Sequence, residues 1–308
     1  MPDTGSLSGK TVLVTGAAGF IGSALARRLR EVGAVVHGTS RRPHRDGDGC
    51  DRWWKDELAS LSAVRRILDA AGPDVVFHLA GLVDGSRAME VVLPTLEAHL
   101  VSSIDLLIAA TERNVPRLLF AGSLEDAQPL KGDAPPASPY GAAKIAARAY
   151  ARMFHALHGT PIVWLRPYMV YGPGQVDVRK IVPYVTLSLL RGEAPALSSC
   201  RRQMDFVYID DVVDAFLAAA VAPGIDGQTL DIGSGELVSV RTVVDKLTRI
   251  VDPSIAPRFG ALPDRPFEQE RVADPEPAAI ALSFRARTSL DDGLRRTVDF
   301  YRARPPAR

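Results

Sequence analysis

Short β-branched apolar runs alternate with amphipathic stretches through most of this chain. Thr11–Val14 is apolar, long enough for a buried strand and too short for a helix. Ile21, Ala24, Leu25, Ala26, Leu29 and Val32 then fall on one helical face, and Gly33 is placed to end that helix. The alternation continues with a strand at Ala34–Gly38 and, after a polar loop at 43–52, a helical face at Leu61, Val64, Ile67 and Leu68. Pro73–Gly81 is a fully apolar strand, as expected for a parallel sheet buried on both faces. A helix over Leu96–Arg113, a strand over Arg117–Ser123 and another over Pro161–Pro167 follow. Gln228–Gly233 reads as a returning strand before a helix carrying Val240, Val243, Val244, Leu247 and Ile250.

Gly16, Gly19 and Gly22 stand between the first strand and the first helix. A dinucleotide pyrophosphate needs a tight turn, close backbone approach and exposed helix N-terminal N–H groups at that place. An acidic residue at the end of the second strand would bond the adenosine ribose 2′-hydroxyl and select NAD. Ser40 occupies that place here, followed by Arg41 and Arg42. Two guanidiniums without a carboxylate suit a 2′-phosphate, so NADP(H) is favoured over NAD(H).

Composition narrows the classes. A chain of 308 residues, 46% hydrophobic, can bury one large core or two modest ones. A formal charge of +1 gives no field to gather nucleic acid or an anionic membrane. No apolar run is expected to be long enough to span a bilayer, and residues 1–10 lack a signal-peptide apolar core. Cys50 and Cys200 make neither a disulfide framework nor a metal site, which favours a reducing, cytoplasmic setting.

Tyr140-Gly-Ala-Ala-Lys144 places a phenol and an ammonium at i and i+4, on one helix face. An ammonium there favours phenolate and brings the tyrosine towards proton exchange near neutral pH. Pro129–Pro139 carries four prolines and so borders the site as loop. Asp210 and Asp211 read as N-caps of a helix beginning at Val212, in preference to a metal or acid–base pair. His78, inside an apolar strand, reads as a packed core histidine.

Thr15-Gly-Ala-Ala-Gly-Phe-Ile-Gly22, Ser123, Tyr140-x-x-x-Lys144, Tyr168-Met-Val-Tyr-Gly-Pro and Met204-Asp-Phe-Val-Tyr-Ile-Asp-Asp211 together resemble the extended short-chain dehydrogenase/reductases. Within that superfamily the chain is similar to the nucleotide-sugar epimerases, 4,6-dehydratases and 4-ketoreductases. The likeness runs nearly to the C-terminus, where Ala281–Leu294 resembles the closing segment of those enzymes.

This resemblance implies an α/β fold with a Rossmann-type doubly wound parallel sheet and a smaller C-terminal substrate-binding lobe. Residues 1–171 would form the dinucleotide-binding domain, with sheet contributions from about 205–235, and 172–308 would mainly bind substrate. It implies Ser123, Tyr140 and Lys144 as catalytic, with Glu125 as a further acid/base group. Gly16, Gly19, Phe20, Ile21, Gly22, Ser40, Arg41, Arg42, Glu57, Leu58, Leu79, Ala80, Gly81, Pro167 and Val170 would join Tyr140 and Lys144 around the cofactor. Ser123, Met169, Lys180, Arg202 and Arg265 would face the substrate, Arg202 standing in for the arginine that Met204 replaces. Arg265 reads equally as a solvated loop residue, and Glu268 belongs to the same loop. The position usually held by Asn near the start of the Leu96–Arg113 helix is His99. A homodimer through that helix and the one carrying Tyr140 is also implied.

The activity so expected is NADPH-dependent reduction of a nucleotide-linked 4-keto-6-deoxy sugar, in deoxysugar biosynthesis. The alternative keeps NAD(P) tightly bound and catalytic, in a 4,6-dehydratase, an epimerase or a decarboxylase. Glu125 favours a dehydratase, whereas Leu124 between Ser123 and Glu125 lacks the proton that such an enzyme would use. A non-catalytic NADP-binding protein is the third reading, opposed by the intact serine, tyrosine and lysine set.

Overall fold

The computed structural model describes residues 4–304 apart from 42, 43, 45, 48, 56, 57, 83, 84, 128–134, 176 and 266–268. β1 (Thr11–Thr15), α1 (Phe20–Glu31), β2 (Val35–Thr39) and β3 (Arg52–Trp54) open the fold. They lead to α2 (Leu61–Ala71), β4 (Val75–His78), α3 (Val92–Leu96), α4 (Ser102–Glu112) and β5 (Leu118–Ala121). Next come α5 (Pro139–His158), β6 (Ile162–Pro167), β7 (Met169–Tyr171), α6 (Ile181–Leu190), β8 (Gln203–Met204) and β9 (Phe206–Tyr208). The chain closes with α7 (Ile209–Val221), β10 (Thr229–Ile232), β11 (Val238–Ser239), α8 (Val240–Val251), α9 (Glu276–Leu282) and α10 (Leu290–Ala303).

Seven strands form one parallel sheet in the order β10-β6-β5-β4-β1-β2-β3. The order reverses beside β1, so the crevice of this doubly wound sheet opens at the carboxyl ends of β1 and β4. Val12, Val14, Phe77, Leu119, Val163 and Leu165 face α1 and α7, while Leu13, Val76, Leu118 and Phe120 face α2, α4 and α5. The continuous apolar runs follow from this double coverage. β10 bonds to β6 from Thr229↔Trp164 to Ile232↔Pro167, which returns the chain to the main sheet. β7 pairs with β9, and β8 with β11, in two small sheets beside it.

Three local expectations are corrected. Arg52–Trp54 is an edge strand hydrogen-bonded to β2, where only loop was expected up to residue 52. Three residues are too few to show a period in the sequence. Asp210 and Asp211 do not cap a helix beginning at Val212. α7 already begins at Ile209, and its N-cap Tyr208 makes no side-chain cap bond. Asp211 instead accepts from the backbone N–H groups of Arg287 and Thr288, both at 3.1 Å, tying α7 to the C-terminal segment. Finally, the helical run Met89–Glu112, 24 residues, is long and apolar enough to cross a membrane by length and composition, contrary to expectation. Here Leu106, Leu107, Ala109 and Ala110 bury its second half, and it packs on α2 and α5.

Candidate active site

The turn after β1 is built from glycine for steric reasons. Gly16 has φ +69°, and a Cβ there would lie 2.8 Å from the backbone of Ala80. A Cβ at Gly22 would overlap the Gly16 carbonyl. Gly19 is the N-cap of α1 and offers no side-chain cap, leaving the first-turn N–H groups for an external acceptor. Phe20 and Ile21 pack against the core just beyond it. Leu79 and Ala80 press on the turn from β4, and the Ala80 N–H donates to Thr15 Oγ1 at 3.1 Å. This cradle, closed by any added side chain, fits a dinucleotide pyrophosphate.

β2 runs beside β1 and ends at Thr39, whose Oγ1 accepts from the Gly16 N–H at 3.4 Å. Ser40 therefore lies next to the glycine turn. Its hydroxyl meets His44 Nε2 at 3.1 Å, and the His44 ring stacks on Trp53 at 4.2 Å. Arg41 is exposed in the same loop, and Leu58 packs against the core near α2. Arg42, Glu57 and Glu268 lie outside the described residues, as does the 128–134 part of the proline-rich loop.

β5 delivers Ser123 to the crevice. Ser123 caps a short 3₁₀ turn, Leu124–Asp126, its hydroxyl accepting from the Glu125 N–H at 3.2 Å. Asp126 Oδ2 accepts in return from the Ser123 N–H at 2.9 Å and from Trp164 Nε1 at 3.1 Å. Burial pushes the Asp126 carboxyl above the usual carboxylate range, despite the lowering effect of Trp164, Ser123, Arg166 and Arg148. α5 then starts cleanly, with Ser138 as N-cap and Pro139 at its first position.

Tyr140 and Lys144 face the same crevice from α5. The Ser123 hydroxyl acts to lower the Tyr140 phenol, but desolvation outweighs it and pushes the phenol up to about 12. Lys144 is buried, and burial lowers its ammonium to about 8. Its Nζ donates to the Ala121 carbonyl at 2.6 Å. The expectation that Lys144 draws Tyr140 towards neutrality is therefore not met: the phenol's lowering partner is Ser123, and the ammonium is aimed at the strand end.

His99 closes the back of this site. It lies in a π turn, Glu97–Val101, with its ring edge-on to Tyr140 at 4.9 Å. Nε2 lies 3.1 Å from the Leu82 backbone N–H and 2.9 Å from its carbonyl, and the tautomer decides whether it accepts from the first or donates to the second, whereas Nδ1 is buried without a partner among the described residues. Burial, reinforced by Lys144, lowers its pKa to about 3, so the ring is neutral. Gly81 is required here because a Cβ would overlap the imidazole. His78 is a core histidine as expected, held by Thr15 Oγ1 at 2.9 Å and Ser103 Oγ at 3.3 Å.

Met169, Lys180, Arg202 and Arg265 meet in one cavity of about 1490 Å³. Pro167 ends β6, and Val170 follows in β7. Ser123, Glu125 and Tyr140 are outside its lining and form a separate cluster at the sheet. Two buried groups escaped sequence reasoning. Asp205 accepts from Ser234 N and Oγ at 2.7 Å, Gly235 N at 2.9 Å and Ala273 N at 3.1 Å. Arg271 places Nη1 3.5 Å from Glu125 Oε2. Asp126 had a readable signal, the Ser-x-x-Asp spacing of a capping box.

A glycine cradle at the head of a doubly wound sheet, with serine, tyrosine and lysine at its carboxyl edge, defines a nicotinamide-dinucleotide oxidoreductase of the extended short-chain type. Residues 12–233 match the NAD dependent epimerase/dehydratase family, and the chain belongs to it. A UDP-glucose 4-epimerase of Mycolicibacterium smegmatis is 30% identical, over 94% of this chain and 98% of its own. A dTDP-glucose 4,6-dehydratase of Escherichia coli is 27% identical, over 94% and 92%. The solved structure of MoeE5 with UDP-glucuronic acid and NAD is 32% identical, with a TM-score of 0.85 over 95% of this chain and 99% of that one.

Proposed function

We propose that this protein is a nucleotide-hexose 4-epimerase that keeps its nicotinamide cofactor through the catalytic cycle. The observation that carries this reading is the Ser123–Tyr140–Lys144 cluster at the carboxyl edge of the sheet that carries the glycine cradle, in a chain that also holds a cationic cavity. The M. smegmatis epimerase supports a retained cofactor over the net 4-ketoreduction expected from the sequence. Bound in the cradle, the dinucleotide supplies hydride acceptance from C4 of the sugar and return to either face.

Tyr140, its phenol brought down from about 12 to phenolate by the positive charge of an oxidised nicotinamide in the cradle, takes the proton from the 4-hydroxyl and gives it back to the same oxygen. Ser123 donates a hydrogen bond to that oxygen as its charge changes, which favours the transition state over the ground state. Lys144, whose ammonium is aimed at the strand end beside the Ala121 carbonyl, would hold the cofactor ribose. His99 buttresses the Tyr140 ring from behind. Lys180, Arg202 and Arg265 offer positive charge to a diphosphate, and Met169 gives that cavity an apolar wall. Residues 1–171 and the returning strand bind the dinucleotide, and 172–308 supply most of the substrate cavity.

Ser40 in the place of a carboxylate at the end of β2, followed by Arg41, favours NADP(H) as the cofactor held. Glu125 beside Tyr140 supports a 4,6-dehydratase as second reading, weakened because Leu124 cannot protonate a leaving hydroxyl. Two copies are proposed to pair through α3 to α5. Exposed Leu93 and Leu96 on α3 and Ile145, Tyr150 and Leu157 on α5, with Met89 just before α3, support this.

The test is to denature the purified protein, identify any released nucleotide by mass, and follow UDP-glucose and dTDP-glucose by proton NMR. Inversion at C4 without added cofactor is expected. Loss of the C6 hydroxyl would favour the dehydratase. Stoichiometric NADPH oxidation by a 4-keto sugar, with no inversion of the parent sugar, would overturn the reading in favour of the reductase.

A further inference from the structure

Arg271 belongs neither to the cavity lining nor to the Ser123–Tyr140–Lys144 cluster. Its side chain is only 4% exposed, against 23% for Glu125, which it faces at 3.5 Å. Nη2 donates to Gln269 Oε1 at 2.8 Å, and Nε is buried without a hydrogen-bond partner among the described residues. A guanidinium so desolvated depends on a nearby anion, and Glu125 is that anion. Glu125 in turn lies against the start of α5, its Oε2 3.4 Å from where a Cβ of residue 141 would stand. The pair therefore adjoins the groups that work on the C4 oxygen.

The substituents flanking C4 on a hexose are the 3-hydroxyl and the C6 group carried by C5. We propose that the Glu125–Arg271 pair is a specificity filter at this edge, admitting nucleotide-linked neutral hexoses and rejecting nucleotide-linked uronates. The inference rests on the nucleotide-hexose reading above. A hydroxymethyl group donates a hydrogen bond to Glu125. A C6 carboxylate meets a like charge and finds the guanidinium already taken. MoeE5 was solved with UDP-glucuronic acid, so a uronate is a competitor this scaffold can hold.

Glu125→Gln keeps the shape and the hydrogen-bonding capacity while removing the charge. It leaves a buried guanidinium whose best available counter-ion is a C6 carboxylate. Binding of UDP-glucose and UDP-glucuronate should be compared by calorimetry on cofactor-loaded protein carrying Tyr140→Phe, so that turnover does not enter. Glu125→Gln should raise the affinity ratio of glucuronate to glucose by about tenfold or more, and adding Arg271→Gln should cancel the gain. Arg271→Gln alone should lower the ratio further, which tests the filter even if Glu125→Gln does not fold. A ratio unchanged within about twofold in the single variants, with both sugars bound, overturns the filter alone. If neither sugar binds any form, the nucleotide-hexose reading falls, and the filter with it.

Discussion

Replacing Lys144 with methionine should abolish turnover and yet make the cofactor-free fold more stable. Burial lowers the Lys144 ammonium from its ordinary 10.5 to about 8. At about 1.4 kcal/mol for each tenfold, the protonated side chain costs the folded state roughly 3 kcal/mol below pH 8. Methionine fills similar space without charge but leaves the Ala121 carbonyl without its 2.6 Å donor. That loss returns about 1–2 kcal/mol, so a net gain of about 1–2 kcal/mol is expected at pH 7. The pH dependence separates this account from a mere packing gain. Between about pH 8 and 10.5 the unfolded wild-type chain holds the lysine proton that the folded chain has released, so wild-type stability rises with pH. The advantage of the variant is thus fully present below pH 8 and fades towards 10.5. Tyr140, raised to about 12, acts oppositely: its contribution is present below pH 10 and is lost towards 12, equally in both proteins. Urea unfolding followed by tryptophan fluorescence at pH 7 and 9.5 would measure both effects. A variant less stable than wild type at pH 7, or a difference that does not shrink by pH 9.5, refutes the reasoning.

Tyr140→Phe should lose nearly all turnover while cofactor affinity stays within about threefold, because the ring still packs against His99. Steady-state rates with a cofactor titration check it. Gly81→Ala should cost about 1–3 kcal/mol and at least tenfold in rate, since the added methyl must displace the His99 ring. His99→Ala in the Gly81→Ala background should recover part of the stability, which thermal melts would show. Asp205→Ala should destabilise by about 3 kcal/mol or more, because it strands three backbone N–H donors on Ser234, Gly235 and Ala273. Chemical unfolding is the measurement, and a change under about 1 kcal/mol would contradict it.

Most of the sheet was legible because its central strands are largely apolar and its glycine turn has a steric cause. Thr11–Val14 and Pro73–Gly81 announce buried parallel strands, and Gly16 and Gly22 sit where no side chain fits. The cluster was legible in identity but not in electrostatics. The spacing of Tyr140 and Lys144 places them on one face, yet says nothing of the Ala121 carbonyl, which comes from β5. Nor does it reveal how far the two groups are desolvated, which is the leading cause of both pKa shifts. The acidic residues illustrate the same limit. Asp211 was assigned a local capping role from its neighbours, while its actual partners, Arg287 and Thr288, are 76 and 77 residues away. Arg271 finds Glu125 across 146 residues, a pairing no local pattern records.

The position of β10 bears on how the chain acquires its structure during synthesis. A nascent chain emerges in order, but the outer side of β6 stays unpaired until Thr229–Ile232 has left the ribosome. Until then Trp164 and Leu165 lie on an open parallel edge, the kind that invites pairing with another chain. The intervening stretch, including α6 and the apolar α7 that covers α1, must be made first. A fragment cut near residue 171 would therefore resemble a stalled translation product more than a small dinucleotide-binding protein.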